Sequence, residues 1–219
     1  MTSHSPRATF GAILLAGGRA SRMDGVDKPR LVVGGVSMLD RAVVTMRELA
    51  ADPLIVVGPR AGSPVVGNAS ADGPAPDDDA VLWVREDPPF SGPAAAVVAA
   101  LHCTAAALAP DPDWTFVLAC DLPRVDAAVQ QLMDDIMLLP SDTEGACLSD
   151  GSSRPQWLTG VYRTAALRRA AASLPDEGRD QSMRALVADM SIAALPDRAD
   201  SARDIDTWED FRRFTKEDA

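Results

Sequence analysis

Short apolar runs alternate along this chain with segments of helical periodicity. Runs of four to seven mostly apolar residues predict buried strands, and they lie at Thr9–Leu15, Leu54–Val57, Val81–Val84 and Trp114–Cys120. Helical segments begin at Ser37 and Pro93 and lie near residues 126–138. The alternation predicts an α/β fold, with a mostly parallel, mixed and twisted sheet and helices on both faces.

The second half of the chain contains a predicted strand pair and further short helices. Residues 145–148 and 155–162 flank Asp150-Gly151, a dipeptide typical of a turn between paired strands. Helices are also predicted at residues 163–173, 181–190 and 207–214. In the last of these, the spacing of Thr207 and Asp210 indicates a capping box.

The length of 219 residues favours one domain. We therefore expect residues 1–219 to form a single domain with flexible termini at 1–8 and 215–219. Residues 59–80 are rich in Gly, Pro, Ala and Asp, which predicts a long, mobile surface loop.

The net charge of −11 argues against a general binder of nucleic acids or anionic membranes, because such proteins need a basic face. No apolar run reaches the roughly 18 residues that a membrane span requires. The first ten residues lack the apolar stretch of a secretion signal, and the three cysteines match no disulfide or zinc spacing. We therefore expect a cytoplasmic protein.

In open α/β sheets, ligands bind beyond the carboxyl ends of the strands. Three segments occupy such positions: residues 16–30, residues 86–93 and Asp121. Residues 1–30 have five basic and two acidic side chains, a local charge of +3, which leaves −14 for the rest of the chain. One of the chain's two lysines, Lys28, lies in this first loop. Glycines and cations together suit a polyphosphate, although composition alone leaves a turn with solvated arginines equally open.

The stretch Leu15–Leu31, LAGGRASRMDGVDKPRL, resembles the first motif of nucleotidyltransferases with a GT-A-like, nucleotide-diphospho-sugar-transferase-like Rossmann-type fold. Within that family it is most similar to the MobA-type molybdenum cofactor guanylyltransferases. The resemblance implies transfer of GMP from GTP to the terminal phosphate of molybdopterin, with release of pyrophosphate. It implies GTP and molybdopterin as small-molecule substrates, Mg²⁺ as cofactor, and transient contacts with molybdenum cofactor biosynthesis proteins or acceptor molybdoenzymes.

The same resemblance assigns residues to the nucleotide. The backbone of the first motif would contact the nucleotide, while Arg22 and Lys28 would contact its phosphates and act in catalysis. Asp87, which precedes a Gly-Pro turn, would contact the nucleoside. The full nucleotide-binding set implied is Leu15, Ala16, Gly17, Gly18, Lys28, Gly58, Asp87 and Asp121.

Asp121 follows an apolar strand, and it resembles the metal-binding aspartate of the family. Magnesium binds one or two carboxylates together with phosphates and waters, so Asp121 is the first predicted ligand and a catalytic residue. Asp206, or with less support Asp204, is the second. For these two, capping of the last helix is an equal alternative. On the acceptor side, the resemblance suggests Arg154, Arg179 and Arg184.

Other functions remain open at this point. The chain could be a molybdopterin cytidylyltransferase or a sugar-phosphate nucleotidyltransferase of the same fold. It could also be a nucleotide-binding protein without catalysis, since Ala96 replaces a glycine common in the family and Asp204 and Asp206 replace asparagines.

Overall fold

The computed structural model describes residues 8–18, 23, 26–60, 81–105 and 110–217. The strands are β1 (Phe10–Leu15), β2 (Val32–Val33), β3 (Val36–Ser37), β4 (Leu54–Val57), β5 (Val81–Val84), β6 (Trp114–Ala119), β7 (Gly145–Ser149), β8 (Pro155–Arg163) and β9 (Ile192–Pro196). The helices are α1 (Met38–Glu48), α2 (Pro93–Ala105), α3 (Val125–Ile136), α4 (Thr164–Ser173), α5 (Met183–Leu186) and α6 (Trp208–Glu217).

Seven strands form one sheet in the order β5-β4-β1-β6-β8-β7-β9. The first four strands in this order are mutually parallel, and β9 is parallel to β7. Within the described part of this sheet only β8 pairs antiparallel, with β6 on one side and β7 on the other, and β2 and β3 form a separate antiparallel pair. The prediction of a mostly parallel, mixed α/β sheet is confirmed.

The sheet is covered on both faces, which explains why its central strands are apolar throughout. On β1, Leu14 packs into a core that includes residues of α1 and α3. Its neighbour Ile13 points to the other face and packs with residues of α2, α4 and α5. Ser37 caps α1 by accepting a hydrogen bond from Asp40 N (3.1 Å), as predicted from the sequence.

A smaller apolar cluster joins the end of the chain to the segment after β1. Met23, Val33, Met38, Ile205 and Phe214 are all buried together there. The cluster connects α6 with the hairpin formed by β2 and β3. It therefore fixes residues near 205 against residues near 28, although they lie far apart in sequence.

The structure differs from the predicted elements at several places. The helix expected over 181–190 is a single turn, α5, and the strand β9 that follows it was not predicted. The last helix continues to Glu217, which lies within the segment 215–219 expected to be flexible. Of the predicted loop 59–80, residues 61–80 lie outside the described residues, as do residues 1–7. None of the described helices has the length and apolarity needed to cross a bilayer.

Candidate active site

The carboxyl ends of the four parallel strands β5, β4, β1 and β6 lie along one edge of the sheet. Backbone hydrogen bonds extend the pairing past the strand ends, from Ala16 N to Val57 O (2.9 Å), Gly58 N to Val84 O (3.0 Å) and Cys120 N to Leu15 O (3.1 Å). The described residues that directly follow these strands therefore lie at the edge where open α/β sheets bind ligands.

Asp121 lies just beyond β6 and contacts a segment from the far end of the chain. Ile205 N donates a hydrogen bond to the Asp121 backbone oxygen (3.1 Å), and the Ile205 side chain is fully buried. This anchor brings the residues on either side of Ile205 to Asp121. One carboxylate oxygen each from Asp121, Asp204 and Asp206 lies within 4.8 Å of the other two. These three residues are called the carboxylate cluster below.

Lys28 lies directly beside the carboxylate cluster. Its Nζ donates a hydrogen bond to Asp206 Oδ1 (2.6 Å) and lies 4.0 Å from Asp121 Oδ2. Lys28 begins a short 3-10 turn, which is held by an ion pair between Arg30 and Asp27 (3.0 Å). The Lys28 side chain is only 13% exposed, so water screens its charge weakly and it acts strongly on the neighbouring carboxylates.

Burial and repulsion raise pKa values in the carboxylate cluster. Burial raises the pKa of Asp121 from its ordinary 3.8 to about 6, and the Asp204 carboxylate adds to the rise while Lys28 opposes it. Burial also raises the pKa of Asp204, and the Asp206 carboxylate contributes. Because like charges at such distances disfavour ionisation, a cation bound among them would be stabilised.

The donor set of the carboxylate cluster fits a magnesium ion. Magnesium prefers oxygen ligands and usually combines one or two carboxylates with waters and substrate phosphates. The side chain of Asp121 is 24% exposed and that of Asp206 is 40% exposed, so both are accessible from solvent. Both predicted ligands are therefore placed where they could share one ion, and Asp204 is a third candidate.

The glycines at this edge fall into two kinds. A Cβ at Gly58 would lie 2.9 Å from the carbonyl carbon of Ala16 and 3.2 Å from Gly17 N, so only glycine permits this approach. In contrast, a Cβ at Gly17 would meet no described atom closer than 3.8 Å, and one at Gly18 would meet none within 4 Å. The described packing does not require Gly17 and Gly18. Their small size leaves room for another molecule to approach the backbone.

The loop after β5 is tied to the segment before α5. Asp180 N donates to Ser91 O (2.7 Å). Gly92 has φ +96°, and a Cβ there would lie 3.2 Å from Gln181 O, so the contact favours glycine. Asp87 is exposed on this loop. The connection places the 179–184 segment at the same edge as Asp87.

A cleft of about 340 Å³ lies next to the carboxylate cluster. Asp121 and Asp204 form part of its wall, and Arg184 adds a positive charge from α5. Several uncharged side chains also line it, among them Pro93, Leu122, Pro155, Trp157 and Met183. The cleft therefore offers a second binding space beside Asp121, bounded by apolar surface and a guanidinium.

The sequence and fold of this chain are similar to those of known proteins. Residues 12–194 match the family described as the MobA-like NTP transferase domain. The chain belongs to this family. A probable molybdenum cofactor guanylyltransferase from Synechococcus elongatus is 30% identical over 198 residues, which cover 85% of this chain and 88% of that relative. Another from Opitutus terrae is 37% identical over 126 residues, covering 58% of this chain and 54% of the relative.

Solved structures share the MobA-like fold. A nucleotidyl transferase from Methanothermobacter thermautotroptrophicus superposes with a TM-score of 0.65 at 20% identity, covering 96% of this chain and 97% of the other. Molybdopterin-guanine dinucleotide biosynthesis protein A from Archaeoglobus fulgidus gives 0.59 at 15% identity, covering 94% and 97%. Mycobacterium tuberculosis Rv0371c in complex with manganese gives 0.57 at 20% identity, covering 96% and 99%. Family membership makes the chain a nucleotidyltransferase enzyme.

In this MobA-like transferase, several predicted site residues lie together. Lys28 is in contact with Asp206 and lies 4.0 Å from Asp121, and the two carboxylates lie within 4.8 Å of each other. Leu15 and Ala16 are buried at the end of β1, where Ala16 N donates to Val57 O and Leu15 O accepts from Cys120 N. Arg22, predicted to bind phosphates, lies outside the described residues.

Of the three predicted acceptor arginines, all within the described residues, one is among the residues that line the cleft. Arg184 lines the cleft. Arg154 lies at the turn between β7 and β8, where its 79% exposed side chain pairs with Asp150 (3.6 Å). Arg179 is exposed next to Asp180 and is not among the residues that line the cleft. Arg184 is thus the acceptor candidate with the best position.

Sequence reasoning missed the uncharged side of the cleft in this MobA-like chain. Trp157, Leu122 and Met183 line it together with Asp121, but none of the three was predicted as a site residue. Leu122 adjoins Asp121 in sequence and Met183 adjoins Arg184, and these adjacencies were the available signals. Trp157 reaches the site only because β8 lies beside β6, a neighbour relation that apolar patterns do not encode.

The two kinds of glycine give a first prediction. Gly58→Ala should destabilise the protein by about 1–3 kcal/mol, because the new methyl group would overlap the Ala16–Gly17 peptide. Gly18→Ala is the matched control, and its free energy of unfolding should stay within about 0.5 kcal/mol of wild type. Urea unfolding measures both. Equal losses in the two variants would contradict the assigned packing.

Asp121 gives a prediction on pH. Its folded pKa of about 6 lies above the ordinary 3.8, so the folded state holds the proton more tightly than the unfolded state. Ionisation of Asp121 therefore lowers the free energy of unfolding as the pH rises from 3.8 through about 6. Without metal, Asp121→Asn should be more stable than wild type by about 1–2 kcal/mol at pH 7, and the gain should vanish near pH 4.

Urea unfolding in the presence of a chelator, at both pH values, measures this effect. Asp126→Asn is a suitable control, because Asp126 is exposed in the first turn of α3 and is not a member of the carboxylate cluster. A stability gain for Asp121→Asn that is the same at pH 4 and pH 7 would show that ionisation of Asp121 is not its cause.

Proposed function

We propose that this chain transfers GMP from GTP to the terminal phosphate of molybdopterin, releasing pyrophosphate, with Mg²⁺ as its cofactor. The observation that supports this most directly is the position of Lys28 beside Asp121 and Asp206, next to the glycine loop after β1. Relatives named as molybdenum cofactor guanylyltransferases favour GTP and molybdopterin over other substrates of the fold.

The nucleotide would lie along the edge formed by the strand ends. The Leu15–Gly18 backbone and Gly58 would form its floor, since a Cβ at Gly17 or Gly18 would meet no atom of the described residues closer than 3.8 Å. Asp87, exposed on the loop after β5, would bind the nucleoside. Lys28, together with Arg22, would neutralise the charge that grows on the leaving pyrophosphate. Positioning and charge neutralisation are the main demands of phosphoryl-type transfer.

Asp121 and Asp206 would hold the metal ion, with Asp204 close enough to assist. When bound, the ion supplies Lewis-acid neutralisation of the nucleotide phosphates. The chain's own part is to hold these carboxylates in place, and Ile205 does so by its burial and its hydrogen bond to the Asp121 backbone. Thr207 and Asp210 form the capping box of α6 without Asp206, so Asp206 is not needed as the cap.

The acceptor would occupy the cleft beside Asp121. Its apolar wall and Trp157 suit a flat ring system, and Arg184 suits a phosphate. From this side the acceptor phosphate could attack the α-phosphorus while pyrophosphate leaves toward Lys28. A cytoplasmic setting fits the three cysteines, all of which are free thiols.

Thermal denaturation with a panel of nucleotides tests the donor. With Mg²⁺ present, GTP should raise the melting temperature more than CTP, UTP or ATP, because ligand binding to the folded state stabilises it by mass action. A concentration about 100 times the dissociation constant adds about 2.7 kcal/mol. A larger shift with CTP would favour the cytidylyltransferase alternative. Absence of any shift would contradict nucleotide binding at this edge.

A further inference from the structure

Lys28 brings a positive charge into the carboxylate cluster of the free chain. Its ammonium group is 2.6 Å from Asp206 and 4.0 Å from Asp121, and it is largely shielded from water. It lowers the energy of carboxylates that otherwise repel one another. A divalent ion held by the same carboxylates would meet the Lys28 charge at short range, and like charges at short range repel.

The backbone at Lys28 is fixed, but its side chain can turn. Leu31 N donates to Lys28 O (3.0 Å), and Arg30 is paired with Asp27 at 3.0 Å, so the 3-10 turn is held at both ends. The lysine side chain has a flexible four-carbon stem and a compact charge. The ammonium group can therefore leave Asp206 by rotation of the side chain alone.

We infer that Lys28 is an internal counter-ion that competes with the divalent metal for Asp121 and Asp206, so the free chain binds metal weakly. A bound triphosphate offers oxygens to which the ammonium group can move, which removes the Lys28 charge from Asp121 and Asp206. Metal and nucleotide then bind as a unit rather than in independent steps. The second half of this inference rests on the proposed function, because it needs a triphosphate beside Lys28. The first half concerns only the chain and the metal.

The test measures Mn²⁺ binding to the full chain without nucleotide or acceptor, from the electron paramagnetic resonance signal of free Mn²⁺. Lys28→Met removes the charge and keeps the length of the side chain. It should bind Mn²⁺ about tenfold or more tightly than wild type. Lys28→Gln, a second neutral variant that can still donate to Asp206, should show the same direction and guards against a folding defect in the first.

Arg203→Met is the charge-matched control. Arg203 adjoins Asp204 in sequence, but its guanidinium pairs with Asp210 (3.4 Å) and Asp200 (3.6 Å). The variant changes net charge by the same amount as Lys28→Met, and its Mn²⁺ affinity should stay within about threefold of wild type.

Three results would overturn the inference. The first is a Mn²⁺ affinity of the Lys28 variants that is equal to or below that of wild type. The second is a gain in Mn²⁺ affinity for Arg203→Met as large as that of the Lys28 variants. The third is that neither wild type nor any variant binds Mn²⁺. Since no nucleotide is present, these outcomes are separate from a failure of the proposed GMP transfer. That failure would appear as absence of product while the Mn²⁺ affinities still follow the pattern above.

Discussion

Asp121→Asn should reduce turnover by about a thousandfold or more at saturating nucleotide and Mg²⁺, since the predicted first metal ligand is lost. Asp121 is central to the site because it contacts three features at once. It faces Lys28, belongs to the carboxylate cluster and lines the cleft proposed for the acceptor. The substitution keeps the size of the side chain, so the loss should arise from charge rather than from packing.

Asp126→Asn controls for the change of net charge in this experiment and should retain wild-type turnover. Steady-state release of pyrophosphate, measured across a range of Mg²⁺ concentrations, separates two explanations. A rate that recovers at high Mg²⁺ would show weakened metal binding, which agrees with the assigned role. Wild-type turnover at low Mg²⁺ would place the metal elsewhere.

Lys28→Ala should lower turnover by about a hundredfold to a thousandfold, because one positive charge facing the developing pyrophosphate is removed. The loss should appear mainly in kcat, since the charge on the leaving group grows as the bond breaks. Lys28→Arg keeps the charge but replaces a compact ammonium with a planar fork, so it should recover only part of the rate.

Activity and metal affinity should move in opposite directions at Lys28. The neutral variants are expected to bind Mn²⁺ more tightly and yet to turn over slowly. Unchanged kcat in Lys28→Ala would remove this residue from the catalytic assignment. A loss confined to KM would assign it to ground-state binding of the triphosphate instead.

The strands that the sequence predicted best are those buried on both faces. β1, β4 and β6 are almost continuously apolar and stand between glycine, proline and aspartate positions, so their pattern is unambiguous. Strand β9 was missed although residues 192–195 are all apolar, because the alanines and the proline in residues 192–196 are weak strand formers, and the strand lies half-buried or exposed at the edge of the sheet. The position of β8 between β6 and β7 depends on tertiary pairing, which local periodicity does not determine.

The residues of the candidate site also differ in how far the sequence predicts them. Asp121 and Lys28 could be singled out because each follows a buried strand and lies in a stretch that resembles a motif of the family. The contact between Lys28 and Asp206 spans 178 residues of sequence, and it depends on the burial of Ile205 and the packing of α6. Sequence left Asp206 undecided between capping and metal binding. The structure shows that Thr207 and Asp210 form the cap, while Asp206 faces Lys28.

Formation of the guanine dinucleotide from GTP and molybdopterin tests the central claim most directly. The purified chain, incubated with both substrates and Mg²⁺, should release pyrophosphate and dinucleotide in equal amounts, and omission of either substrate or of the metal should abolish both. The Asp121→Asn variant serves as the matched negative control. Dinucleotide formed from CTP but not GTP, or pyrophosphate released without molybdopterin, would contradict the proposed reaction.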